Sequence, residues 1–218
     1  APELKVKPRQ LKTFFDFKNP QSYLALQAIL SLKDEGISIN WQPFVSKPLK
    51  VPTGKAKNED RSTKHRRNRG EYLANDIQRY SPHELKDIYR KTDSQFADMG
   101  LLWLQHELGA SSDAIDDYVQ RVFVHLWRDG GDIDSAQEIE LLLLATESKQ
   151  INFDNTGQDL SLINEWQKYT LGKGIKLLNE ARTEAQSQSI SMAPTFLLGS
   201  EPFQGRAQLP LSLIHISE

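Results

Sequence analysis

The 218-residue chain contains no cysteine. Without cysteine sulfur it can form no disulfide, no thiolate metal ligand and no thiol nucleophile of its own. Any thiol that takes part in its chemistry must therefore arrive with a ligand. This composition excludes disulfide exchange as the activity of the chain.

Long apolar runs and an excess of one charge are also missing. The longest apolar run, Leu141 to Ala145, is far shorter than the ~20 residues that span a bilayer. The net charge of −2 gives no general attraction to nucleic acid or to an anionic membrane. No basic and apolar export signal is recognisable at the N-terminus. We therefore expect a cytoplasmic protein with no nucleic-acid partner and no membrane partner.

The five histidines show no spacing typical of metal ligands, and we expect no metal site. Three aromatic residues at helical spacing, Trp103, Phe123 and Trp127, are expected in the core rather than around a ligand.

Local patterns at the start of the chain predict a β-strand, a helix and a second strand. Residues 11–17 are apolar and aromatic, which favours a buried strand. Asn19 is a natural N-cap, and Pro20 suits the first helical turn because its missing N–H is no loss there. The helical pattern then runs to Gly36, a predicted C-cap, and 37–41 alternates as a strand. These elements form a βαβ unit.

The middle of the chain is predicted to be helical and the last part to return to strands. A loop rich in Pro, Lys and Gly is expected at 46–58. Strands are predicted at 195–198 and 201–203, joined by a turn at Gly199 and Ser200. Helical periodicity occurs at 61–80, 93–108, 112–127, 134–148 and 159–187.

These elements predict an α/β domain interrupted by helices. The α/β domain comprises 11–45 and 190–210, and the helical insertion comprises 59–189. Residues 211–218 have a pattern unrelated to the preceding sequence, and we expect them to be a non-native tail. The helix expected after the hairpin is then missing.

Three segments carry a family resemblance: FFDFKNPQSYLAL at 14–26, GEYLANDIQRY at 70–80 and MAPTFLLGSEPFQGRAQLP at 192–210. In this order they resemble the DsbA-like family, particularly 2-hydroxychromene-2-carboxylate isomerases and kappa-class glutathione transferases. The resemblance implies a thioredoxin-like fold with a large helical insertion. It also implies a cis peptide bond at Ala193-Pro194, whose backbone N–H and C=O would be free to pair with the cysteinyl part of glutathione.

The resemblance also implies a site at the start of the first helix. Relatives carry Ser-Pro-x-Ser where this chain has Asn19, Pro20, Gln21 and Ser22. Their first serine hydrogen-bonds the glutathione thiolate, and an Asn side chain can still donate through its NH₂ group. Unsatisfied N–H groups at a helix start also stabilise an anion. We predict Asn19 and Ser22 as catalytic residues and Pro20 and Gln21 as binding residues. The alternatives are a simple N-cap and an ordinary helix serine.

Further binding residues are expected in two loops. Relatives place a polar and an acidic residue after the glycine of the last turn, where they hold the γ-glutamyl ammonium. This chain has Gly205, Arg206 and Ala207 there, and the added cation should favour an anion instead. In the loop before the basic helix, Lys50 and Asn58, with Lys55, are candidates to bind a substrate carboxylate.

A basic cluster occupies the first half of the helical stretch predicted at 61–80. Three interpretations remain open: a phosphate or nucleic-acid patch, an anion pocket for a carboxylate substrate, and a solvated helix face. The cluster comprises Arg61, Lys64, His65, Arg66, Arg67 and Arg69.

The leading hypothesis is an isomerase or transferase that uses glutathione as a cofactor and acts on a small unsaturated or aromatic carboxylate. A small-molecule substrate and a second copy of the chain, forming a homodimer, are the expected partners. The alternative is a non-catalytic thioredoxin-fold binding module.

Overall fold

The computed structural model describes residues 10–50, 60–147 and 158–210. Four strands form one mixed sheet in the order β2-β1-β3-β4, with β1 parallel to β2 and β3 antiparallel to both β1 and β4. The strands are β1 (Gln10–Phe15), β2 (Ser38–Pro43), β3 (Thr195–Leu198) and β4 (Glu201–Gln204).

Seven helices of the described ranges surround this sheet. They are α1 (Pro20–Ser31), α2 (Arg61–Tyr80), α3 (Gln95–Leu108), α4 (Asp113–Trp127), α5 (Ala136–Glu147), α6 (Gln158–Leu171) and α7 (Lys173–Ser187). Short 3₁₀ turns follow α1 at Leu32–Glu35 and β4 at Arg206–Gln208. The β-α-β start, the helical middle and the final hairpin confirm the predicted thioredoxin-like fold class.

The main element boundaries differ from expectation at two places. The first strand ends at Phe15 rather than at residue 17. Beyond it, the Asp16 carboxylate accepts backbone N–H groups, and the Phe17 carbonyl accepts a hydrogen bond from the Trp127 indole at 2.8 Å. The single helix predicted at 159–187 is divided at Gly172, whose φ of −138° and ψ of −91° are not helical. Glycine has a low helix propensity, which favours a break there.

Aromatic packing joins the helical middle of the chain to the sheet. Phe15 and Phe17 make an edge-to-face contact with ring centroids 4.8 Å apart, and both rings lie against Phe123 of α4. Trp103, Phe123 and Trp127 are all buried, as predicted. Burying a large apolar side chain contributes about 1.5–3 kcal/mol, so these contacts fix the helices above the α1 start.

Candidate functional site

The start of α1 is closed by its own cap. The Asn19 Oδ1 atom accepts the Gln21 backbone N–H at 2.9 Å, and the Asn19 carbonyl accepts the Ser22 N–H at 3.0 Å. Pro20 has no N–H to offer. The expectation of unsatisfied N–H groups at this helix start is therefore wrong for these residues. The reason is that Asn is an effective N-cap and satisfies them itself.

The Asn19 side chain also connects three separate segments. Its Nδ2 atom donates to the Ser46 hydroxyl at 3.1 Å and to the Ala193 carbonyl at 2.9 Å. An amide NH₂ has two hydrogens, so these contacts use both. The predicted cis bond between Ala193 and Pro194 is confirmed. The Ala193 carbonyl, expected to be free, accepts one hydrogen bond from the Asn19 side chain, which leaves one of its two lone pairs for a ligand.

Ser22 faces the protein interior. Its side chain is only 2% exposed, and its Oγ atom accepts the Asp16 backbone N–H at 3.3 Å. Pro20 is buried beside it. A buried hydroxyl that supports the turn before α1 positions the site and does not reach solvent.

Asp16 is a central residue of the site that the sequence prediction missed. Its Oδ1 atom accepts the Lys18 N–H at 3.0 Å, and its Oδ2 atom accepts the Ser46 N–H at 2.6 Å. Burial raises the pKa of Asp16 from 3.8 to about 6, although the Lys18 charge and these donors act in the opposite direction. The signal that could have found it was a single acidic residue inside the apolar sequence run at 11–17.

A second buried carboxyl lies close enough to be influenced by Asp16. Asp98 of α3 is fully buried, and both burial and the negative charge of Asp16 raise its pKa well above the ordinary range. The Ser94 hydroxyl donates to its Oδ2 atom at 3.1 Å. The buried carboxyls of Asp16 and Asp98 therefore both have raised pKa values.

Arg206 is part of an ion pair rather than an open anion site. Its Nε atom donates to the Gln21 side-chain oxygen at 3.1 Å, and its Nη2 atom is 3.4 Å from Asp76 Oδ2. The guanidinium also stacks over the Tyr80 ring at 4.5 Å. The expectation that Arg206 favours an anion is therefore corrected: Asp76 of α2 already balances its charge, and the Tyr80 ring packs against the guanidinium. Gly205 before it has φ +91°.

Part of the basic cluster lines a pocket of about 590 Å³. Its basic lining contains the predicted Lys50 with Arg66, Arg67 and Arg69. Leu49 lines this pocket three residues after Ser46, a separation of at most about 11 Å. The pocket therefore begins close to the α1 site. Its apolar wall consists of Leu49, Leu73, Ala74, Ile88 and Tyr89.

Three other cluster members, Arg61, Lys64 and His65, line a separate cavity. Arg67 lines the 590 Å³ pocket, but it is only 7% exposed and its Nη1 atom is 3.1 Å from Glu71 Oε1. The predicted residue Asn58, with Lys55, lies outside the described residues, as does the expected tail at 211–218.

Residues 10–50, 60–147 and 158–210 contain no group of three or more His, Asp or Glu side chains that could hold a metal ion. No helix in the described parts of the chain combines the length and apolar character needed to cross a membrane.

Comparison with known proteins identifies a family and a set of similar folds. Residues 10–215 match the family model described as a DSBA-like thioredoxin domain. A comparison with curated proteins gives no match.

Among solved structures, a 2-hydroxychromene-2-carboxylate isomerase is similar at 21% identity and a TM-score of 0.66, over 95% of this chain and 94% of that one. The cytosolic disulfide reductase DsbM from Pseudomonas aeruginosa, solved with GSH, has 12% identity and a TM-score of 0.58, over 94% and 99% of the two chains. A probable DsbA oxidoreductase from Streptomyces coelicolor has 12% identity and a TM-score of 0.61, over 95% and 89%. At these identities, the likeness shows the fold.

Proposed function

The chain belongs to the DSBA-like thioredoxin domain family, and from that premise we propose that it is a glutathione-dependent isomerase or transferase. Its substrate in this proposal is a small unsaturated or aromatic carboxylate. The observation that carries the proposal is the convergence of Asn19, Ser46 and Ala193 at the start of α1, in a chain without cysteine. A site of this kind can act on sulfur only when a ligand brings the thiol.

Two similarities support this choice of ligand and reaction. One structural relative is named an isomerase of a hydroxychromene carboxylate, and another is a disulfide reductase solved with GSH. The absence of cysteine separates this chain from the reductase chemistry. Of these two relatives, the isomerase is therefore the one on which we base the proposed reaction.

The residues around the α1 start suit the thiol of glutathione better than they suit its γ-glutamyl ammonium group. Asn19 and Ser46 supply polar side chains at the helix start, and the helix dipole favours a negative charge there. Pro20 and Gln21 follow Asn19 in α1, and the Gly205 N–H donates to the Pro194 carbonyl at 2.8 Å, one residue after Ala193. No acidic residue stands at 207, but Asp76 brings a carboxylate to the same end of α1 through its pair with Arg206.

In the proposed mechanism, glutathione supplies a thiolate that adds to the unsaturated carbon of the substrate and leaves after the bond has rotated. Asn19 orients the thiol by releasing one of its two hydrogen bonds to Ser46 and Ala193, and Ser22 fixes the turn from which Asn19 projects. Lys50, Arg66 and Arg69 bind the substrate carboxylate, and the apolar wall of their pocket holds its ring or double bond. Asn58 is proposed to complete the carboxylate site.

A turnover assay tests this function directly. A cis-configured aromatic enoic acid is incubated with the protein, with and without glutathione, and its isomers are followed by NMR. We expect conversion only when both protein and glutathione are present. The matched control is S-methylglutathione, which has no free thiol. Conversion that is equal with the blocked control would contradict the mechanism.

A non-catalytic binding module is the second candidate function. It is favoured by the hydrogen bonds that Asn19 already makes with both of its amide hydrogens, and by the Arg206 ion pair with Asp76. The double variant N19S/A207D restores the hydroxyl and the carboxylate that relatives carry. If the scaffold has lost only these groups, the variant should bind glutathione at least about tenfold more tightly than the wild type, about 1.4 kcal/mol.

The proposal also includes a cytoplasmic location and a homodimer. The structural relative DsbM is named as cytosolic, which supports the location. Leu171 is 83% exposed at the end of α6, and Ile175 of α7 is 44% exposed, so a second copy would find an apolar surface there. Light scattering at several concentrations measures the oligomeric state.

A further inference from the structure

The pocket of about 590 Å³ has a basic end and an apolar end along α2. Three arginines line it from the first half of the helix, and Leu73 and Ala74 line it from the second half. Gly70 lies between these two groups and contributes no side chain, although glycine within a helix costs about 1 kcal/mol relative to alanine. The pocket volume is typical of small-molecule sites. A ligand can therefore lie along α2 with one end among cations and the other among apolar side chains.

The apolar end of the pocket lies nearer to the α1 start than the basic end does. Arg206 connects the two helices, because its Nε atom donates to the Gln21 side-chain oxygen at 3.1 Å and its Nη2 atom is 3.4 Å from Asp76 Oδ2. Asp76 therefore marks the part of α2 that adjoins α1. At 1.5 Å per residue, Ala74 lies about 3 Å from Asp76 along the helix axis, and the arginines at 66–69 lie about 10–15 Å away. Helical side chains lean toward the N-terminus, which adds to this separation.

The basic end carries more cations than carboxylates. Residues 60–74 contain five Lys and Arg residues and two acidic residues, one of which is the N-cap of α2. The other, Glu71, has its Oε1 atom 3.1 Å from Nη1 of the buried Arg67. The Arg66 guanidinium donates to the Thr63 hydroxyl at 3.2 Å, which directs its charge toward the N-terminus of α2 and away from α1. An anionic group bound at this end would gain charge-assisted hydrogen bonds.

We infer that the substrate carries its anionic group at the opposite end of an apolar body from the bond that reacts, an inference that rests on the proposed function for the reacting end. The chemical class is an elongated aromatic carboxylate with two linked or fused rings. Its carboxylate binds at Arg66 and Arg69, its rings lie over Gly70 and against Leu73, and its unsaturated substituent reaches the α1 start. A compact enoic acid, whose carboxylate is attached to the reacting double bond, cannot occupy both ends, because they are about 10 Å or more apart. The length of α2 between its arginines and Asp76 is thus the specificity determinant.

The first experiment measures the orientation of biphenyl-4-carboxylate in the pocket and uses no glutathione. Ser62 and Gln78 are exposed and stand at the two ends of one row of residues spaced four apart on α2, about 24 Å from each other. Because the chain has no cysteine, S62C and Q78C each take a single nitroxide spin label. Relaxation of the ligand protons is then measured by NMR with each labelled protein.

With the label at Q78C, the ring proton farthest from the carboxylate should relax at least about twofold faster than the protons beside the carboxylate, and with the label at S62C the order should reverse. The same order with both labels would overturn the inference. Relaxation that neither label changes, at millimolar ligand, would also overturn it.

The second experiment fills the middle of the pocket. G70L adds a side chain where the rings are placed and also raises the helix propensity, so circular dichroism should show an intact fold. We expect calorimetric binding of biphenyl-4-carboxylate to weaken by at least about tenfold. N75L, at an exposed position outside the pocket lining, is the matched control and should bind like the wild type. Equal binding by wild type and G70L would overturn the inference.

A turnover comparison separates failure of this inference from failure of the proposed function. A cis-configured biphenyl enone with a carboxylate on its far ring is compared with its carboxamide, each with glutathione. We expect kcat/KM to be at least about tenfold lower for the carboxamide. Equal kcat/KM values would overturn the inference while supporting glutathione-dependent isomerisation. If the carboxylate is oriented as described but neither compound is converted, the proposed function fails and the ligand class stands.

Discussion

Replacement of the buried Asp16 carboxyl by an amide should change how stability depends on pH. In the folded protein the pKa of Asp16 is about 6, and in the unfolded chain it returns to 3.8. Between these two values the folded state binds more protons than the unfolded state. The free energy of unfolding of the wild type therefore falls as the pH rises from about 4 to about 6, and it levels off above that range.

The magnitude follows from the same two values. A pKa increase from 3.8 to about 6 corresponds to about 3 kcal/mol, at about 1.4 kcal/mol per pKa unit. In D16N this contribution is absent. The amide also loses one of the acceptors that serve the Lys18 and Ser46 N–H groups, which destabilises the variant by a pH-independent amount.

Urea unfolding of wild type and D16N at pH 4 to 7.5 provides the assay, with the midpoint and slope fitted at each pH. Relative to the wild type, D16N should gain about 2 kcal/mol between the two ends of this range, because at pH 4 the unfolded-state carboxyl, with its pKa of 3.8, is already more than half ionised. Q27A, on the exposed side of α1, serves as a control without a change in ionisable groups. Stability curves of D16N and wild type that run parallel across the range would refute the assigned burial effect.

Three other substitutions test the packing and the pocket. G100A should destabilise the protein by about 1–3 kcal/mol in urea unfolding. An added Cβ would lie 2.2 Å from the Tyr118 hydroxyl and displace it from its buried hydrogen bond. An unchanged unfolding midpoint would contradict this packing. W166A should cost about 3–5 kcal/mol by the same method, because this fully buried indole stacks in the helical core; a cost under about 1 kcal/mol would show that the ring is not packed as described. R66A should weaken benzoate binding by about tenfold in calorimetry, whereas R79A at the other end of α2 should not, and equal effects would remove the carboxylate pocket.

Much of the fold could be predicted from the sequence because its signals are local. The apolar run before Asn19 and the Asn-Pro start of α1 depend on neighbouring residues only, and so does the turn at Gly36, which has φ +75°. The break at Gly172 was missed because the apolar periodicity continues on both sides of it. One glycine is a weak signal within such a pattern.

The site could be located but its hydrogen bonds could not be predicted. The Asn19 amide meets Ser46, 27 residues away, and Ala193, 174 residues away. Nothing local indicates that an Asn cap will also donate across the sheet to two such distant partners. The partners of Arg206 were missed for the same reason. Asp76 precedes Arg206 by 130 residues, and Tyr80 belongs to the same helix as Asp76.

The central claim is that this cysteine-free member of the family holds an external thiol at the Asn19 and Ser46 position. Calorimetric titration of the purified chain with glutathione tests it most directly, with S-methylglutathione as the matched ligand and circular dichroism to confirm the fold. We predict saturable heat with a Kd of about 1 mM or lower, corresponding to at least about 4 kcal/mol of binding free energy, and weaker binding of the methylated ligand. The absence of heat in the millimolar range from a folded protein, or equal binding of both ligands, would contradict the claim.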